Sequence, residues 1–316
     1  MTTSTSTDLP LVLTEVEVLS ARRLSPSFVR LVLGGGVLGE VGVAGPLHDQ
    51  RFKLIVPDVH GRLPSVAGAD ETWLRTWLDR PAGVGGHMRT YTIRAIEGTG
   101  PGTRVVVDVV VHAGGEPGPG ADWAATASPG SRAVVLMPRR GFEFGGIEWA
   151  PPPGSDLLLV GDETAVPAVC AILEGLPEDA AGAAFLEVPC DDDVQAVSAP
   201  AGVAVTWLPR AGGSHGAALH TAVLEHLGAP TVVLDEPEEI DPDLWETPTW
   251  SSSGAAVPAG SGPRAVRPDL GALYAWIAGE AATVTALRRH LVKELGLGRR
   301  QVAFMGYWRR GVAMRS

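Results

Sequence analysis

The chain has 316 residues, 45% hydrophobic and 19% charged, a length and balance that suit a globular protein with more than one core. Its 25 basic against 36 acidic residues give a net charge of −11, which argues against a nucleic-acid partner. No apolar run approaches the roughly 20 residues of a spanning helix, so no stable membrane insertion is expected.

The Ser/Thr-rich start lacks a basic stretch followed by an apolar one, so no signal peptide is read. Cys170 and Cys190 form neither a CxxC pair nor a disulfide framework. They read as small core residues in a reducing compartment, and a cytoplasmic location is expected.

Up to about residue 140 the pattern is strand-like, with runs at residues 11–19, 27–33, 51–56, 90–94, 104–112 and 132–137 between Gly and Pro clusters. Only short helical pieces interrupt them, at 73–80 and 123–127. Six such strands predict an antiparallel barrel. After Pro151-Pro152-Pro153-Gly154 the grammar changes. Apolar strands at 156–160, 184–188, 203–208 and 231–234 alternate with helical stretches at 164–173 and 216–227. That alternation predicts a doubly wound parallel sheet, with the proline run as a hinge between domains 1–150 and 151–316. Residues 249–267 carry Ser, Gly and Pro without a hydrophobic period and read as a flexible insertion. A buried strand at 273–278 then leads through Gly279-Glu280 into a helix over 281–295. Val284, Leu287, Leu291 and Leu295 form its apolar stripe, Gly296 is its stop, and a strand at 302–308 follows.

The most informative motif is Arg89-Thr90-Tyr91-Thr92. Strand alternation sends Arg89 and Tyr91 to one face and Thr90 and Thr92 to the other. A guanidinium can clamp a diphosphate, a tyrosine ring can cover a flavin, and Thr92 can reach the edge of that ring. A surface strand with an exposed Arg and a packed Tyr is the plainer reading of the same four residues. His112 ends a strand and opens a glycine-rich loop over 113–120, in which backbone N–H groups can approach a diphosphate.

Gly161-Asp162-Glu163-Thr164 sits where a strand turns into a helix, the usual ligand crevice of such sheets. It is not a G-x-G-x-x-G loop, and Asp162 and Glu163 read equally well as helix caps. Ala278-Gly279-Glu280 repeats the geometry at a second strand end, and two such turns can flank one nicotinamide cofactor. His215, His220 and His226 share no helical face, and no Cys or Asp joins them at ligand spacing, so no metal site is expected. Hydrolase and nucleotide-triphosphatase signatures are missing.

In order and spacing, these segments resemble the siderophore-interacting protein family, flavin-dependent ferric-siderophore reductases allied to ferredoxin reductases. The likeness is carried by Phe52-Lys53-Leu54, Arg89 to Arg94, His112 with its glycine loop and Trp123, Gly161-Asp162-Glu163-Thr164-Ala165, Tyr274 to Glu280, and Gly306-Tyr307-Trp308-Arg309. The resemblance implies an N-terminal Greek-key β-barrel that binds FAD and a C-terminal α/β domain that receives NAD(P)H. It implies that Arg89 pairs with the FAD diphosphate, that Tyr91 packs on the flavin and that Thr90 and Thr92 lie along it. His112, Gly118, Ala121 and Trp123 would hold the rest. Gly161, Asp162, Glu163 and Thr164, with Ala278, Gly279 and Glu280, would flank the nicotinamide nucleotide.

Many relatives read Gly-Pro-Ala-Ser-Arg-Trp-Ala where this chain has Gly118-Pro119-Gly120-Ala121-Asp122-Trp123-Ala124. A serine hydroxyl is lost and a carboxylate replaces a basic group, which leaves diphosphate contacts there to the backbone. A basic pocket for an anionic ferric siderophore would draw on Lys53, Arg139, Arg140, Arg309 and Arg310, although ordinary surface charge accounts for the same residues. Arg210 is a candidate for the 2′-phosphate of NADPH by position alone. The implied activity is electron transfer from NAD(P)H through the flavin to chelated Fe(III), with release of Fe(II) and no catalytic side chain or protein metal ligand. A general flavin or quinone reductase, a carrier that binds the chelate without reducing it, and ferredoxin as donor are the alternatives.

Overall fold

The computed structural model describes residues 9–81, 83–111, 118–230, 245–246 and 268–312. The chain divides into two compact units, residues 1–147 and 148–314.

The first unit contains β1 (Leu11–Ser25), β2 (Phe28–Gly34), β3 (Arg51–Val56), α1 (Trp73–Leu78), β4 (His87–Thr92), β5 (Ala95–Glu97), β6 (Arg104–Val110), α2 (Pro119–Thr126) and β7 (Arg132–Pro138). The strands form one seven-stranded antiparallel sheet in the order β4-β3-β7-β1-β2-β6-β5. β4 and β5 lie at opposite edges, yet only Ile93 and Arg94 separate them in sequence. Seven flat strands would span about 29 Å between those edges, while so short a link reaches about 11 Å. The sheet therefore curls until its edges meet. Ile93 N–H donates to Gln50 O just ahead of β3 (2.8 Å), and Arg94 N–H donates to Val106 O in β6 (2.9 Å).

Both faces of the curl are apolar. Val12, Leu54 and Val135 point to the inner core, while their neighbours Leu13, Ile55 and Val134 pack with Trp77 of α1 in a second cluster. Two features depart from the sequence expectation. β5 has three residues, too few for an alternation to register. β1 runs on to Ser25 through an exposed arm whose apolar alternation has ended, held by its ladder to β2.

The second unit contains β8 (Asp156–Gly161), α3 (Val166–Glu174), β9 (Ala181–Val188), β10 (Gly202–Pro209), α4 (Ala217–His226), β11 (Trp245–Glu246), β12 (Leu273–Glu280), α5 (Ala281–Arg289) and β13 (Val302–Trp308). Its sheet order is β10-β9-β8-β12-β13-β11, parallel except for the short β11 pairing on β13. Strand order reverses between β8 and β12, which makes their carboxyl ends a topological switch point. Buried runs in β8 and β12 and the stripe Val284, Leu287, Leu291 form the core. The helix expected over 281–295 changes to a π-turn over His290–Glu294 before it stops at Gly296, whose φ is 75°. The strand expected at 231–234 and the insertion at 249–267 lie outside the described residues. No helix among the described residues is long and apolar enough to cross a membrane.

Candidate functional site

In the first unit the predicted strand motif and the predicted loop helix are packed together. β4 is an edge strand, registered on β3 so that Tyr91 faces Phe52 and Thr90 faces Lys53. Arg89 and Tyr91 are half-buried, Thr90 is exposed and Thr92 is buried, so the alternation holds for the first three positions while the core takes the fourth. α2 lies against Tyr91: Ala121, Trp123 and the tyrosine ring all pack on the inner core. The approach is so close that a Cβ on Gly120 would fall 2.3 Å from Tyr91 Oη and 3.1 Å from Arg89 Cγ. Glycine is therefore required at 120 for the helix to seat where it does.

Burial pushes the Tyr91 hydroxyl up to about 12, with Arg89 pulling the other way, so it remains a hydrogen-bond donor at physiological pH. Gly118 gives α2 no side-chain cap among the described residues, so its first-turn N–H groups are open to a partner. A cation, a half-buried aromatic face and an uncapped helix start together have the chemistry to hold a flavin dinucleotide. His112, the remaining candidate here, lies outside the described residues.

The basic candidates separate into two kinds. Lys53 is exposed and its Nζ donates to Thr90 Oγ1 (2.7 Å), next to the Arg89–Tyr91 pair. Arg140 is exposed, with Nη2 donating to Val41 O (3.1 Å). Arg139 departs from the expectation of a pocket residue. It is 8% exposed, and its guanidinium is spent on Glu40 and on the Leu11 carbonyl, so it fastens the sheet. In the second unit Arg309 is half-buried at the end of β13, and exposed Arg310 donates its backbone N–H to Glu280 Oε1 (3.2 Å).

The switch point of the second unit is a buried charge network. Asp162 Oδ1 accepts from Thr164 N (2.8 Å) and Thr164 Oγ1 (2.5 Å), while Oδ2 accepts from Glu280 N (2.7 Å) and Trp308 Nε1 (2.8 Å). Gly279 makes this crossing possible: its φ is 148°, and a Cβ there would lie 2.7 Å from Asp162 Cγ. Glu280 caps α5, its Oε2 accepting from Ala282 N (2.7 Å) and Thr283 N (3.1 Å). Ala165 and Val166 donate their N–H groups to the Asp162 carbonyl, and Pro167 has none. The amides that such sheets usually offer to a phosphate are thus committed to the chain's own carboxylates and to the Asp162 carbonyl. The crevice fits a nicotinamide dinucleotide by position and not by charge.

Glu163 takes a bidentate bond from Arg210 (2.7 and 2.8 Å), which also reaches Glu187 Oε1 (3.0 Å). Arg210, read from sequence as a candidate for a 2′-phosphate, already holds two carboxylates. Local spacing joins His215 to no site, but the fold brings it here from the β10–α4 turn. Its Nε2 lies 3.5 Å from Asp162 Oδ2 and 3.7 Å from Glu163 Oε2, its ring stands edge-on to Trp308, and its side chain is only 6% exposed.

Burial raises the pKa of Asp162, and the Glu163 charge adds to it. Glu163 is pushed up by burial as well, but His215 nearby and the bonds from Arg210 prevail and hold it at about 2. Burial lowers His215, and the carboxylates of Glu163 and Asp162 outweigh that and raise it. Asp162, Glu163 and His215 each present a ligand atom within 4.8 Å of the others, but the carboxylate oxygens are already engaged. A proton on His215 together with Arg210 offsets the charge without a metal.

A curled antiparallel sheet followed by a doubly wound parallel sheet defines a ferredoxin reductase-like fold. Residues 17–142 match the siderophore-interacting FAD-binding domain and residues 154–311 match the siderophore-interacting protein family, to which the chain belongs. An uncharacterized protein of Mycobacterium tuberculosis is 37% identical over 200 residues, 62% of this chain and 65% of its own length. Ferric vibriobactin reductase ViuB of Vibrio cholerae is 29% identical over 223 residues, 71% of this chain and 65% of its own. The chain thus spans about 65% of the length of these curated relatives. The crystal structure of a siderophore utilization protein from T. fusca has 30% identity and a TM-score of 0.65, covering 96% of this chain and 95% of that one.

Proposed function

We propose that the chain is an FAD-containing reductase that passes electrons to Fe(III) in a ferric siderophore, with NAD(P)H as the source of those electrons. The observation that carries this reading is the seating of α2 on β4, which gathers Arg89, Tyr91 and an uncapped helix start in one place. Membership of the siderophore-interacting family and the similarity to a ferric vibriobactin reductase support it. Arg89 clamps the diphosphate, the Tyr91 ring covers the flavin, the α2 amides hold further phosphate oxygens, and Thr92 serves the ring edge from its buried position. Bound FAD takes electrons in pairs and gives them singly, which suits a one-electron metal.

Lys53 and Arg140 in the first unit attract an anionic chelate. Hard oxygen ligands grip Fe(III) far more tightly than Fe(II), so reduction frees the iron and no protein ligand is required. Cys170 and Cys190 form no disulfide with one another, which is compatible with a cytoplasmic setting. The test is the steady-state rate of Fe(II) capture by a chromogenic chelator from a ferric siderophore, compared with the rate on free flavin or quinone. Faster turnover of the siderophore is expected. Preference for free flavin or quinone would make the chain a general reductase, and binding of the chelate without Fe(II) release would make it a carrier.

A further inference from the structure

Among the described residues of the second unit, α3, α4 and α5 begin at the carboxyl ends of the parallel strands, where the N–H groups of a first turn are the usual grip on a dinucleotide's diphosphate. Each of these starts is closed by an acidic residue of the chain itself. Asp162, at the turn out of β8, accepts from Thr164 N with its side chain and from Ala165 N and Val166 N with its carbonyl. Glu187, near the end of β9, accepts from Gly216 N (2.8 Å) and Leu219 N (3.4 Å) where α4 begins. Glu280, the last residue of β12, accepts from Ala282 N and Thr283 N where α5 begins. All three side chains are buried, and each is braced from a second direction: Asp162 by Trp308 Nε1, Glu187 by Arg210 Nη1 and Glu280 by Arg310 N. The start of α2 in the first unit has no such cap among the described residues.

We infer that this chain recognises its hydride donor by the dihydronicotinamide ring and not by the adenosine diphosphate, so that an unphosphorylated dihydronicotinamide riboside serves as well as NADH or NADPH. A diphosphate at these helix starts has to pull buried carboxylates off their amides and then lie beside them, a like-charge contact. The nearby cations do not relieve it. Arg210 is held between Glu163 and Glu187, and His215 Nε2 faces Asp162 and Glu163. The ring is what the three donors share. Each gives up a hydride from that ring and is left as the pyridinium, while the flavin takes the hydride's two electrons and its proton, so only the appended groups differ.

This inference rests on the nicotinamide reading given above, and one experiment separates the two. The FAD-loaded protein is mixed anaerobically with NADH, NADPH or dihydronicotinamide riboside, and the second-order rate constant of flavin bleaching is divided by that of the same donor with free FAD. One charge-assisted hydrogen bond to a phosphate is worth roughly tenfold in affinity, so a helix start that grips the diphosphate favours both dinucleotides by about that factor or more. The expected result is that neither dinucleotide leads the riboside by more than about threefold, less than one such bond supplies, and that millimolar ADP does not slow the bleaching. A larger lead for either dinucleotide, or competitive slowing by ADP, would overturn the inference and leave the nicotinamide reading intact. Failure of all three donors to bleach the flavin would overturn both, while Fe(III) reduction by the dithionite-reduced protein would show that the flavin-to-iron step survives.

Discussion

Arg210 is the residue whose removal most sharply tests the buried network. Arg210→Met would take the guanidinium from between Glu163 and Glu187 and leave two carboxylates, 1% and 0% exposed, without their cation. Removing one partner of a buried ion pair costs about 3–5 kcal/mol. For a unit of residues 148–314 that corresponds to a fall in melting temperature of roughly 6 to 20 °C.

The pH dependence gives a second check. Glu163 is held at about 2 in the fold against an ordinary 4.5, so its contribution is present above pH 4.5 and is lost as pH falls towards 2. That depression depends in part on Arg210, so the gap between variant and parent should be wide at pH 7 and narrow as the pH approaches 2. Calorimetric scans across that range measure it. A melting temperature within 2 °C of the parent at pH 7, or a gap that does not change with pH, would refute the reasoning.

Three further perturbations have defined outcomes. Arg89→Ala removes a charge-assisted contact to the diphosphate and should weaken FAD retention by roughly tenfold or more with an unchanged circular dichroism spectrum; an undiminished flavin complement would count against the assigned role. Gly279→Ala places a Cβ 2.7 Å from the Asp162 carboxylate at a φ of 148°, and should destabilise the second unit by about 1–3 kcal/mol in urea unfolding, so an unmoved midpoint would contradict the crossing described at the switch point. His215 has a raised pKa, so its contribution is full below 6.5 and declines as pH rises through the folded value. His215→Gln should therefore flatten the fall in stability between pH 6 and pH 9, and a slope equal to the parent's would mean that this imidazole carries no compensating charge.

The parts of the fold that were legible in the sequence are those whose burial is periodic. β3 and β13 fall where their apolar patterns place them, and the change from barrel to parallel sheet follows the change from Gly/Pro-punctuated strands to strand–helix alternation. β5 and the arm of β1 were hidden because backbone ladders hold them, and a ladder leaves no trace in side-chain pattern. The packing of Arg89 and Tyr91 against Gly120 joins two short segments, each of which stands out locally in the sequence.

The second-unit network was readable only at Asp162, Glu163 and Glu280, which sit at strand ends. His215 and Arg210 reach it through the parallel order β8-β9-β10, a relation between distant segments that no local spacing encodes. One signal was present: Glu187 interrupts the apolar run Ala184-Phe185-Leu186-Glu187-Val188, and a carboxylate in a buried strand must find a partner. With only one Lys or Arg between residues 148 and 230, that partner was Arg210.

A single anaerobic titration followed by absorbance is the most direct test of electron flow through the bound flavin. The purified protein is predicted to be yellow, to bleach on addition of NADH or NADPH, and to regain its colour when a ferric siderophore is added, with Fe(II) appearing in a trapping chelator. A folded, colourless protein that takes up no FAD, or a reduced flavin that the ferric chelate fails to reoxidise, would contradict it.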